Sequence, residues 1–327
     1  MQKLYSNKLV IFLLILPAVA LFVFAVLAPI CLSVYYGMTD YTGMGKPNFV
    51  GLENFTKLLF HDEIFWRSLL NALLLGAGFV FIQHPVCMLF AILLDKVSGK
   101  WESFFRAAYF IPNVISVVVI ASMWVYIFNP DFGLINTILG KLGLPGLMQE
   151  WLGNPDLALW SVLFVLMWHG FGWGVLIYYA GLKGIDTQLY EAAAIDGATE
   201  FQTYMKITMP LMKPVIRVNV TLAIISALKQ METVYLLTNG GPGNRTQFLA
   251  NYLYIKAFSS GEYGYGNAIS VVFVIICLLA TVGLTALFKE REKKNPRRSY
   301  VFCRGQFRRQ KARAGIPDHI HVDRSDR

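Results

Sequence analysis

Lys229 and Glu232 stand three residues apart in a run that is otherwise apolar. On a helix that spacing puts both on one face, within pairing distance. A charge in hydrocarbon is costly, so each needs a partner or a wet cavity. Two roles fit, the lining of a polar pathway and a purely structural ion pair. Gln230 and Thr233 extend the polar character of the stretch. His169, set between Trp168 and Gly170, offers a ligand contact or a hydrogen bond to a neighbouring helix. His84 precedes Pro85, which removes a backbone bond and predicts a kink.

Bond-making chemistry finds no comparable support. The chain has no HExxH, GxSxG or GxxxxGK[ST] pattern, and Gly99-Lys100 runs into Trp101 without the upstream glycine of a phosphate cradle. The sequence therefore predicts no enzyme and no nucleotide hydrolysis by this chain. Its 4 cysteines show neither CxxC nor metal-ligand spacing, and Cys31, Cys87 and Cys277 fall in or beside apolar runs, where a small packing residue is the ordinary reading. No metal and no cofactor are expected on it. The net charge of +9 is concentrated in short segments and after residue 288, which suits anionic headgroups better than nucleic acid.

The elements that must position these residues are membrane spans. Of 327 residues 56% are hydrophobic and 15% charged. A water-soluble domain of that composition would have to bury nearly every helix all round. Apolar runs at 10–31, 72–94, 107–128, 157–179, 218–237 and 269–288 are each long enough to cross a hydrocarbon core of roughly 30 Å. The expected fold is an all-α membrane bundle of six spans over 1–290, followed by a basic tail, 291–327, without periodicity. The first run is too long for a signal peptide and lacks an A-x-A site. Lysine and arginine are denser in the N-terminus, in 95–106, in 180–217 and in the tail than in the other connections, so both termini are predicted inside the cell. The first outer connection carries a short amphipathic helix near 52–60, and Trp151 and Trp160 suit an interface.

Two connections carry strong local signals. In 183–214, Asp186 or Thr187 can cap a helix that holds Glu191, Ala192, Ala193 and Ala194. After Asp196, Gly197 can end that helix in the left-handed conformation before Ala198. Thr199-x-x-Gln202 then fits a capping box opening a second helix, which passes Ile207 and stops at Pro210. The alanines leave a low-relief face for another protein's groove, with Glu191 at its edge. An interfacial helix pair on lipid is the alternative, but Glu191, Asp196 and Glu200 would then face an anionic leaflet. In Leu237-Thr238-Asn239-Gly240-Gly241-Pro242-Gly243, the three glycines and proline demand a tight turn that can shape a cavity mouth.

The string EAAAIDGATEFQTYMKITMPLMKP resembles the EAA motif of permease subunits in binding-protein-dependent ABC importers. ALKQMETVYLLTNGGPGNRTQFLANYLYIKAF further resembles the carbohydrate-type branch, with its LT-x-GGP after the fifth span. The likeness covers roughly 5–290. It implies a sugar importer with a second permease subunit, two cytosolic ATPases that bind ATP and Mg, and an extracytoplasmic sugar-binding protein. Glu191 to Gly197 would form the coupling helix against the ATPase, while Lys229, Gln230, Glu232, Thr233, His169, Gly240, Gly241 and Pro242 are the candidates for the substrate pathway. Met231 departs from the pattern, which often has an aromatic residue there, and the basic tail runs past the usual end. The rival functions are import of a non-sugar solute and secondary transport with Lys229 and Glu232 as ion-coupling groups.

Overall fold

A computed structural model describes the backbone of residues 8–293 and the side chains of 11–286. Two compact units divide the chain, 1–278 and 279–327. The expected basic tail lies outside the described residues from 294 onward. Among the described residues every repeating element is helical, and one isolated bridge pairs Thr39 with Phe49.

The first span, α1, runs over Ile11–Gly37, and nothing of its most apolar stretch is buried, as suits a helix surrounded by lipid. A short connection follows. Asp40 accepts the backbone and side-chain amides of Asn48 at 2.8 and 3.0 Å, which hold its carboxyl below the usual carboxylate range. The amphipathic helix expected there is α2, Glu53–Phe60. Asp62 then caps α3, Glu63–Asp95, by accepting from the backbone of Ile64 and Phe65. A wide turn over Phe79–Gln83, closed by the His84 N–H on the Phe79 carbonyl, precedes Pro85.

The third expected span is broken. Its halves are α4, Lys100–Val114, and α5, Val117–Ile127, bent by 93° at a pair of extended residues, Ile115 and Ser116. Pro112 weakens the ladder just before the bend, and Ser116 begins a new helix out of a β-branched run that propagates poorly from a preceding turn. After α6, Leu134–Lys141, come the long span α7, Ala158–Lys183, and the short helix α8, Thr187–Ile195.

α9 corrects two expectations. The helix opened by Thr199 does not stop at Pro210; it continues over Glu200–Leu228 as the fifth span. A wide turn at Tyr204–Thr208 moves the preceding carbonyls away from the proline ring, so the helix passes it. The span also ends sooner than 237. Lys229 closes α9, and a separate helix α10, Glu232–Leu237, begins after Met231. α11, Leu249–Tyr254, runs on as a wide turn through Ser259, and α12 covers Tyr263–Lys293. Among the described residues five helices are long and apolar enough to cross a bilayer, and the count reaches the expected six when α4 and α5 are taken as one span.

Clusters of buried side chains pack within the first unit, two of them among the described residues. Cys87, Met88 and Ala91 of α3 meet Val175 and Tyr178 of α7 and Met212 of α9. Leu58 and Phe65 meet Leu249, Tyr252, Tyr265 and Ile269. Inside a membrane such packing depends on close approach more than on expelling water, and small residues supply it. A Cβ on Gly172 of α7 would stand 1.8 Å from the carbonyl oxygen of Tyr109 on α4, and one on Gly174 would stand 2.8 Å from Cys87 Sγ.

Candidate functional site

The caps and the turn of the 183–214 connection are built as its local signals predict, while its second helix runs on past Pro210. Asp186 caps α8 by accepting from the backbone of Gln188, and Gly197 leaves the helix at φ +71°. Thr199 and Gln202 form a reciprocal capping box at the start of α9. Tyr190 reaches Thr208 at 3.2 Å, so the two helices are tied together. Lys183 pairs with Asp95 at 2.9 Å on one flank of the loop, and Glu200 pairs with Lys96 at 2.8 Å on the other.

The faces of α8 are not equivalent. Glu191, Ala192, Ala194, Asp196 and Gly197 are exposed, and Ile195 is 87% exposed, whereas Ala193 is only 7% exposed and packs inward. Phe201, also open, extends the apolar part of this surface. Ala198 and Ile207 are half-buried and Pro210 is exposed on α9. The expected low-relief face is therefore interrupted by one large aliphatic side chain, and the middle alanine belongs to the interior.

At the opposite ends of the spans, residues 237–248 form a tight loop. Asn239, Gly240, Gly243 and Asn244 all take positive φ values, and the Gly241–Pro242 bond is cis. Thr246 Oγ1 lies 2.7 Å from Thr238 Oγ1 and donates to the Gly241 carbonyl at 2.6 Å. Glycine is required at 240 twice over, by φ +84° and because a Cβ would sit 2.1 Å from Gln247 Nε2. The buried Asn71 of α3 donates to the carbonyls of Arg245 and Gln247, each at 2.8 Å, and Asn251 donates to Gln247 Oε1 at 2.7 Å.

Lys229 and Glu232 do not pair; among the described residues no ion pair joins them, and both are exposed. The helix break separates them, and each sits at the helix end whose dipole favours its charge, Lys229 at the C-terminus of α9 and Glu232 at the N-terminus of α10. Gln230 is half-buried at the break and Thr233 is buried within α10. α10 packs against α5, so the outer pieces of the two broken spans lie together. His169 lies half-buried on α7.

Between the ends of α5 and α10 and the segment 149–153 lies a cleft of about 490 Å³, lined in part by Phe128, Asn129, Glu150, Thr238, Gly241 and Pro242. Four residues of the turn motif, Leu237, Thr238, Gly241 and Pro242, are in its wall, two of them, Gly241 and Pro242, among the expected pathway residues. Gly240 lies behind them and is buried, while His169, Lys229, Gln230, Glu232 and Thr233 do not line it. Sequence reasoning missed Asn71, Gln247 and the wall residues from 128 to 153. The glycine spacing Gly170-x-Gly172-x-Gly174 marks a different feature, the close approach of α7 to Tyr109 and Cys87.

Residues 88–293 match the family described as "Binding-protein-dependent transport system inner membrane component". The chain is 35% identical over 291 residues to the "Probable ABC transporter permease protein YurN" of Bacillus subtilis (strain 168), an alignment that covers 87% of this chain and 97% of that protein. It is 33% identical over 290 residues to the "Diacetylchitobiose uptake system permease protein NgcF" of Streptomyces coelicolor, covering 85% and 82%. Among solved structures, a chain of the bacterial alginate ABC transporter in complex with an alginate pentasaccharide-bound periplasmic protein has the same fold, with a TM-score of 0.77 at 22% identity, covering 89% of this chain and 98% of that one. The chain belongs to the family of inner-membrane permease components of binding-protein-dependent ABC transport systems. It is a multi-pass membrane transport subunit, not an enzyme.

Proposed function

We propose that this permease moves a sugar or oligosaccharide inward across the cytoplasmic membrane by alternating access. It would work with a second permease subunit, two cytosolic ATPases carrying ATP and Mg, and an extracytoplasmic sugar-binding protein. One observation carries the reading: an exposed, ion-pair-braced helix stands at one end of the bundle, and two broken spans meet beside a cleft at the other. Irregular backbone at membrane depth is tolerated where protein covers it or where it borders a watery path. A relative named for diacetylchitobiose uptake and a structural relative that carries alginate support the cargo class.

In this reading α8 is the coupling helix. Glu191, Ala192, Ala194, Ile195 and Asp196 meet the ATPase, while Ala193 anchors the helix to its own chain. The basic connections put this end, and both termini, in the cytoplasm. ATPase closure favours one of two bundle states by a few kcal/mol, and the braced loop passes that bias to the spans. Gln230 and Thr233 border the path at the break in the fifth span. Ion coupling through a Lys229–Glu232 pair loses its structural basis because the two charges serve separate helix ends.

The test is reconstitution of this chain with its partner subunits. Sugar uptake should require ATP and the binding protein, and the ATPase should co-purify. Uptake driven by an ion gradient, with no ATPase bound, would overturn the assignment.

A further inference from the structure

We propose that the cleft between α5, α10 and residues 149–153 is a second-tier sugar subsite at the entry side of the broken spans, and that Glu150 makes it selective for uncharged rings. This rests on the sugar-import reading above. The cleft, at about 490 Å³, falls within the roughly 300–1,000 Å³ of small-molecule sites. It adjoins a hollow of about 590 Å³ that shares Pro130, Glu150 and Gly153 with it. More than one sugar ring can therefore be held in line.

The wall has the two kinds of surface that a sugar presents. Val125, Leu152 and Pro242 offer an apolar strip for the C–H face of a ring, backed by the buried Phe128, which Trp124 and Trp151 brace at centroid distances of 5.1 and 6.3 Å. Asn129, in the wall, uses its side-chain carbonyl to accept from Asp131 and Phe132 at 2.9 and 3.1 Å, which fixes the amide. The Glu150 backbone carbonyl accepts from Gly153 and Asn154 at 3.1 and 2.8 Å. Its carboxylate folds over that turn, where a Cβ on Gly153 would come within 2.9 Å of Oε2.

Glu150 is the one charged residue in the wall. A carboxylate accepts from two neighbouring hydroxyls of a neutral sugar, but it repels a uronate whose own carboxylate must enter the same space. The mouth thus filters by charge after the binding protein has delivered its cargo. Gly153 is part of the device, since a side chain there would displace the carboxylate.

The intact transporter, purified without its binding protein, gives a direct test. Leu152→Cys places a thiol in the wall and Leu142→Cys places one on an exposed surface outside it. Maltotriose and diacetylchitobiose serve as neutral probes and an alginate trisaccharide as the anionic one. Maleimide labelling at 152 should slow several-fold with a neutral probe and not with the uronate, while labelling at 142 stays constant. Adding Glu150→Gln should let the uronate protect as well, a gain of about tenfold in its apparent affinity. Lack of protection by either neutral sugar, or equal protection by the uronate before and after that substitution, would overturn the subsite. With ATP-driven uptake intact, such a result leaves the importer reading standing; absence of ATP-driven uptake of every sugar overturns both.

Discussion

The ammonium group of Lys183 lies 2.9 Å from the carboxylate of Asp95, at the point where the last turn of α7 meets the last residue of α3. The next residue, Lys96, holds Glu200 at 2.8 Å on the far side of the loop. Two neighbours of opposite charge thus grip both flanks of α8. The pairs are substantially exposed, so each contributes at most about 1 kcal/mol to stability in solution. Their importance is positional, because α3 runs on to Asn71, which holds the loop beside the cleft.

Charge reversal should expose that role. Asp95→Lys or Lys183→Asp alone should lower ATP-driven uptake several-fold while changing the melting temperature of the purified chain little. The exchanged pair in one molecule should recover most of the transport. Recovery is the informative measurement; equal uptake by wild type and both single variants would show that the grip is idle.

Local signals in the sequence were enough for the caps and the turn around α8, because Asp186, Gly197 and the Thr199–Gln202 box act within four residues of themselves. Hydropathy was enough to locate most spans. It could not show the breaks at Ile115–Ser116 and at Lys229–Met231, since an average over a span hides a local change of backbone direction. The pairing expected of Lys229 and Glu232 assumed a continuous helix, and helix dipoles decided otherwise. Asn71 and Gln247 meet across 176 residues, a distance that no local pattern encodes.

The inward turn of Ala193 divides the EAA residues into two classes. Ala193→Leu should reduce the amount of folded chain, by about 1–3 kcal/mol of overpacking. Ala194→Trp and Ile195→Asp alter only exposed surface, so the chain should reach the membrane at normal levels yet lose ATPase association. Glu191→Lys should act like the latter pair. Gly197→Val meets no neighbouring atom but must adopt φ +71°, so it should distort the turn and uncouple ATP hydrolysis from the binding protein. Co-purification of the ATPase, measured against total membrane-inserted chain, separates these outcomes.

Helix approach makes a sharper stability prediction. Gly172→Ala brings a Cβ against the backbone carbonyl of Tyr109, which cannot swing aside as a side-chain tip can, so α4 and α7 must separate at a cost of roughly 1–3 kcal/mol. Gly146→Ala has open space around it and no positive φ to strain it. Thermal melts in detergent should show a lowered transition for the first and a nearly unchanged one for the second. Similar melts would mean that the close approach is not maintained.

Asn71 is where the loop beside the cleft depends on a buried polar group. Its amide satisfies two carbonyls that the loop cannot pair internally, and it is only 3% exposed. Asn71→Leu removes both bonds and leaves the two oxygens without partners, at about 1–3 kcal/mol for each carbonyl that water does not reach. Asn71→Asp keeps the shape but replaces the donor with a carboxylate that faces the same oxygens, so it should be no better. Gly240→Ala attacks the same loop from the other side, by strain and by contact with Gln247. All three should speed proteolysis between residues 238 and 248 and weaken sugar uptake, without altering how much ATPase binds at the opposite end of the spans. If the loop stays as resistant as in the wild-type chain in Asn71→Leu, the two amide bonds do not hold it, and the link from α3 to the cleft fails.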